Sequence, residues 1–95
     1  MYSGKSIIVL LPALNEQGKI GTVVSRIRES ASAYVDEVLV IDDGSTDNTA
    51  REASAAGAEV LSLGKNKGVG AALRAGMDYA RDKGWDIIVI MGGDN

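Results

Sequence analysis

The sequence has 95 residues, 45% of them hydrophobic and 24% charged, with a formal net charge of −3. That is enough chain for one domain with one modest core, and the charge balance gives no basic footprint for nucleic acid or an anionic membrane surface. With no cysteine and no histidine, disulfides, zinc sites and nucleophilic triads built on imidazole or thiol are excluded, while a divalent metal held by carboxylate oxygens stays open.

The longest apolar runs, Ile7–Leu11 and Ile87–Met91, have five residues each, far short of the roughly 20 that cross a bilayer. No signal peptide is evident, and the lack of cysteine fits a reducing compartment. Gly4-Lys5-Ser6 precedes a strand instead of following one, so it reads as a loose N-terminus and not as a phosphate loop.

Ser6–Leu11 predicts a first strand buried on both faces and halted by Pro12. Pro12–Glu16 is then a loop at its carboxyl end. Ile20, Val23, Val24, Ile27 and Ala31 recur at helical spacing, with Arg26, Arg28 and Glu29 on the wet side. Tyr34–Glu37 connects to Val38–Ile41, a short run of apolar, mostly β-branched residues that predicts a second buried strand.

That strand ends on two acids, Asp42 and Asp43, and then Gly44. Glycine adopts backbone shapes that other residues resist. Ser45, Thr46 and Asp47 are helix-capping types, and they predict a second helix from about Asp47 to Ala56 that stops at Gly57. Glu59–Leu63 is a third strand and Gly64–Gly68 a basic, glycine-bounded loop. A third helix carries Val69, Ala72, Leu73, Gly76, Met77 and Ala80 on one face and ends near Gly84. Trp85–Met91 is the fourth strand, with Gly92–Asn95 at its carboxyl end.

The order β-α-β-α-β-α-β with right-handed crossovers predicts an α/β, Rossmann-like parallel sheet of strand order 3-2-1-4, with each strand buried and helices on both faces. In such sheets ligands bind at the carboxyl ends of the strands. The topology gathers Glu16, Asp42, Asp43 and Asp94 there, with Lys65, Lys67 and Arg74 from the third crossover. Carboxylates hold the donor groups of a nucleoside and a divalent cation, and basic groups neutralise phosphates. A nucleotide diphosphate needs both. The chain stops just beyond its fourth strand, so residues 1–95 read as a single domain that is the front part of a larger one, and the exposed fourth strand predicts self-association through its edge.

Four ordered motifs carry a family resemblance: Pro12–Glu16 (PALNE), Val40–Thr49 (VIDDGSTDNT), Asn66–Arg74 (NKGVGAALR), and an acid closing the fourth strand. Together they resemble the family 2 glycosyltransferases, within them most closely the dolichyl- or polyprenyl-phosphate sugar transferases. The resemblance implies the N-terminal half of a GT-A fold and inverting transfer of a hexose from a UDP- or GDP-sugar, with Mn²⁺ or Mg²⁺, to a lipid-phosphate or glycan acceptor. It implies a cytoplasmic protein, at the cytoplasmic face of the membrane in full-length form. It assigns Pro12, Leu14 and Glu16 to the nucleoside, Asp43 to the base, Asp42 to the turn, and Asp94 to the metal bridging the diphosphate. With Ile41, Lys67, Arg74 and Gly93 these make the candidate donor site.

Two positions depart from the family pattern. The first acid of its D-x-D motif is Gly92 here, and the position before Asn15, aromatic in many relatives, is Leu14. The family's catalytic base lies beyond residue 95, so no catalytic residue is assigned within the chain. A non-catalytic nucleotide-binding or regulatory module is the alternative. A phosphoacceptor receiver domain fails because its acid pair follows the first strand, and a dinucleotide site fails because Gly68-Val-Gly70-Ala-Ala-Leu73 lacks a third glycine.

Overall fold

The computed structural model describes residues 1–92. Seven elements follow in the expected order: β1 Ile7–Ala13, α1 Ile20–Ser30, β2 Glu37–Asp42, α2 Thr49–Ala55, β3 Glu59–Ser62, α3 Val69–Asp82 and β4 Ile87–Ile90. All strand pairs are parallel, in the order β3-β2-β1-β4. The expected Rossmann-like topology is therefore the observed one.

The two central strands owe their place to uninterrupted apolar sequence. Alternate residues of β1 and β2 supply opposite faces of the sheet. Val9, Leu11, Val38 and Val40 pack under Ile20, Val24 and Ile27 of α1 and Ala53 of α2. Ile8, Leu10, Leu39 and Ile41 pack against Ala72 and Ala80 of α3 on the other face. Burying each of these branched side chains contributes about 1.5–3 kcal/mol before the entropy of ordering it. Gly76 lets α3 lie close on the sheet: a Cβ there would come within 2.8 Å of Ile41 Cδ1.

Three expectations need correction. Pro12 does not halt the first strand, which runs on to Ala13, in register with Asp42. Residues 8 and 10 bond toward β4, whose ladder ends when Met91 N–H donates to the Leu10 carbonyl. Pro12 lies on that same side, where its missing N–H breaks no ladder bond. Nor is every strand buried. β3 and β4 are half-exposed edges, with Val89, Ile90 and Met91 open to solvent.

The N-terminus is not loose either. Ser3 and Gly4 both take positive φ in a tight turn closed by hydrogen bonds between Tyr2 and Lys5. The Tyr2 ring packs on Tyr34 at 5.6 Å, and the terminal ammonium donates to Asp36 Oδ1 at 2.9 Å. Asp36 in turn accepts the Ile7 N–H, and Asp86 accepts the Ser6 N–H and hydroxyl. These acids at the amino end of the sheet fasten strand entries; the acids at the carboxyl end are arranged differently.

Candidate functional site

β2 delivers Asp42 as its last residue, and the Asp43 N–H still donates to the Ala13 carbonyl. Both carboxylates are buried, at 6% and 5% exposure, and burial obliges them to find donors. Asp42 Oδ1 accepts the Ser45 N–H at 3.0 Å, closing the turn that begins the crossover. Asp43 reaches across to the loop before α3. Its Oδ1 accepts the Lys67 N–H at 2.8 Å and its Oδ2 the Gly68 N–H at 3.0 Å. Between them Gly44, at φ +85°, lets the backbone of Lys65 and Asn66 approach so closely that a Cβ would lie 2.5 Å from it.

The loop after β1 is fastened to the loop after β2 by reciprocal hydrogen bonds. The Asn15 N–H donates to Ser45 Oγ, and Asn15 Oδ1 accepts the Thr46 N–H. The Gln17 N–H donates to Asp47 Oδ2, while Gln17 Oε1 accepts the Asn48 N–H. The Glu16 N–H reaches the buried Thr49 hydroxyl and the Gly18 N–H reaches Glu52 Oε1. Asn15 adopts φ +52°, a conformation asparagine tolerates better than most residues. Thr49 donates its own N–H and hydroxyl to Asp47 Oδ1.

That hydroxyl, followed by backbone N–H groups, holds the Asp47 carboxyl below its ordinary value of 3.8. Asp36 is held down chiefly by the terminal ammonium and Asp86 chiefly by the Ser6 N–H. A carboxylate with a depressed folded-state pKa contributes its stability above the unfolded value and loses it as pH falls through the folded one. Melting temperature is therefore expected to be flat on the neutral side and to fall below about pH 4. Asp47→Asn should shrink that fall; an unchanged acid limb in the variant contradicts the assignment.

Between these loops lies a cavity of about 400 Å³, lined by Pro12, Ala13, Leu14, Glu16, Asp43, Asn66, Gly68, Val69, Ala72 and Gly92. It opens at the carboxyl edge between β1 and β4, where the strand order reverses. Of the sequence-predicted residues, Pro12, Leu14, Glu16 and Asp43 meet in its wall. Asp42 lies behind it in the turn. Ile41 is fully buried against α3. Lys67 gives its backbone N–H to Asp43, and Lys67 and Arg74 are exposed and outside the lining. Gly93 and Asp94 lie outside the described residues.

Sequence reading missed Asn66 as a wall residue and missed the clasp between the first two loops. Asn66 stands two residues before Gly68, the residue ahead of α3, a spacing at which an asparagine side chain bonds a backbone N–H. Its Oδ1 does accept the Gly68 N–H, at 3.0 Å. The clasp joins residues 30 or more apart and has no sequence period. Among the described residues, no group of three acidic, histidine or cysteine side chains converges as a metal cage.

The family model of glycosyl transferase family 2 matches residues 8–95. Glucosyl-3-phosphoglycerate synthase of Mycolicibacterium smegmatis is 48% identical over 60 residues, covering 63% of this chain and 20% of that protein. Dodecaprenyl-phosphate galacturonate synthase of Rhizobium johnstonii is 33% identical over 96 residues, covering 90% of this chain and 27% of that protein. Among solved structures, glucosyl-3-phosphoglycerate synthase of Mycobacterium tuberculosis with Mn²⁺, uridine diphosphate and phosphoglyceric acid superposes with a TM-score of 0.81 at 37% identity. That match covers 96% of this chain and 34% of the other. Structures of the same enzyme hold Mg²⁺ with uridine diphosphate, or Mn²⁺ with UDP-glucose. The chain thus spans between a fifth and about a third of the length of these relatives.

Proposed function

The chain belongs to glycosyl transferase family 2, and on that premise we propose that it is the donor-binding part of an inverting enzyme that moves a hexose from a uridine diphosphate sugar to a phosphorylated acceptor. The observation that carries this reading is the cavity at the switch point, walled by Pro12, Leu14 and Glu16 from one family motif and Asp43 from the next. Asp43 keeps free lone pairs after accepting two backbone N–H groups, because a carboxylate has about four acceptor positions. It accepts from the base. Leu14 supplies an apolar wall and Glu16 a carboxylate for the ribose.

Lys67 and Arg74, both exposed on the α3 side, neutralise the diphosphate, Lys67 through its flexible stem. The cavity wall ends at Gly92, and Gly93 and Asp94 follow it in sequence. Mg²⁺ and similar ions need only one or two carboxylates when phosphate oxygens complete the shell. Asp94 with the donor's diphosphate meets that requirement despite Gly92. A cation bound there would offset the charge of the departing diphosphate.

For the acceptor, the identity to glucosyl-3-phosphoglycerate synthases favours a small phosphorylated hydroxy acid. The match to a dodecaprenyl-phosphate enzyme over nearly the whole chain supports polyprenyl phosphate as the second reading, which would put transfer at the cytoplasmic face of a membrane. No helix among the described residues is long and apolar enough to cross one. The test is UDP release by the full-length protein from UDP-glucose and Mn²⁺, with 3-phosphoglycerate or with polyprenyl phosphate. Release dependent on 3-phosphoglycerate is expected. No release with either acceptor, while UDP still binds, would contradict the enzyme reading and leave a nucleotide-binding module.

The exposed Val89, Ile90 and Met91 also support pairing of β4 with a second copy of this chain. Light scattering should then give a mass that rises with concentration; a constant monomer mass contradicts it.

A further inference from the structure

Asn66 lines the same cavity as Asp43, and the two side chains share one donor. The Gly68 N–H is bifurcated between Asp43 Oδ2 and Asn66 Oδ1, each at 3.0 Å. A backbone N–H can only donate, so the oxygen of the Asn66 amide must face it, which fixes the amide orientation. The NH₂ group is then turned away from Gly68. Among the described residues it donates to no protein group. Asp43 and the exposed Asn66 thus line one wall and meet at one N–H, a carboxylate beside an amide whose NH₂ is left for a ligand or solvent.

We propose that Asn66 is a base-recognition residue: its NH₂ donates to a ring carbonyl while Asp43 accepts from the adjacent ring N–H. This rests on the reading above in which Asp43 meets the base. An acceptor beside a donor fits bases that carry an N–H next to a carbonyl, as uracil and guanine do. Cytosine presents an unprotonated ring nitrogen and an amino group at those places. It would set acceptor against acceptor at Asp43 and donor against donor at Asn66, and unpaired polar groups in a site cost more than a missing apolar contact.

The test compares UDP with CDP by calorimetry on the parent chain, Asn66→Asp and Asn66→Ala, each first checked for an unchanged melting profile. Asn66→Asp keeps an oxygen for Gly68 and removes the donor. UDP and CDP carry the same diphosphate, so any repulsion from the new charge cancels in their affinity ratio. The parent should prefer UDP by about tenfold or more, and that ratio should fall by about tenfold in both variants. A parent that prefers UDP, with the ratio intact in both variants, overturns the role of Asn66 and leaves the pocket reading standing. A parent that binds neither nucleotide overturns the pocket reading, and this inference with it.

Discussion

Replacing Gly44 with alanine is expected to destabilise the protein by about 3 kcal/mol or more, the left-handed strain and the steric overlap adding together. At φ +85° the residue sits where a side chain crowds its own carbonyl. The added Cβ would also lie 2.5 Å from the Lys65 carbonyl carbon and the Asn66 nitrogen, which are backbone atoms and cannot swing aside. The 64–68 loop would have to retreat, carrying the Lys67 and Gly68 N–H groups off Asp43. For a domain of this size the melting temperature should drop by roughly 10–20 °C. Gly64 is the control: it has the same φ of +85°, but a Cβ added there would meet nothing within 4 Å. Gly64→Ala should lose only the strain part, about 1–2 kcal/mol. Equal losses in the two variants would contradict the close approach at Gly44.

Asp43→Ala is expected to lose about 2–4 kcal/mol of stability and at least tenfold in UDP affinity. The Lys67 N–H loses its charged acceptor and the Gly68 N–H keeps only Asn66 Oδ1, and a donor left unpaired costs more than a hydrogen bond is worth net. The wall of the cavity then loosens where the base is proposed to sit. Asp43→Asn gives little relief: an amide offers one acceptor oxygen, and its NH₂ would face a backbone N–H. Thermal unfolding and calorimetry on both variants check this. Full stability in Asp43→Ala would mean that the 65–68 loop is held by something other than this carboxylate.

The sequence made the sheet legible because burial of β1 and β2 on both faces leaves a continuous apolar run, and helical periods mark α1 and α3. Pro12 misled because its side of the strand matters, and only the register with β4 tells which side that is. The edge strands misled in the other direction: Ile87–Ile90 reads as apolar as a central strand, yet half of it faces solvent. At the site, the acid pair and its place at the sheet edge were readable from residue type and topology. That Asp43 binds the loop 24 residues later, and that Asn15 and Gln17 exchange bonds with Thr46 and Asn48, was not. Hydrogen bonds between distant loops leave no periodic trace; they depend on where the strands deliver each chain segment.

Leu14 allows the cleanest test of whether the cavity at the carboxyl edge holds the nucleotide. Leu14 lines the cavity yet is 38% exposed, so Leu14→Glu should leave stability within about 0.5 kcal/mol while placing a charge against the base and diphosphate. Calorimetric titration of UDP with Mn²⁺ should give saturable binding to the parent chain and none to Leu14→Glu at the same protein concentration. Equal binding to both would place the nucleotide elsewhere on the molecule.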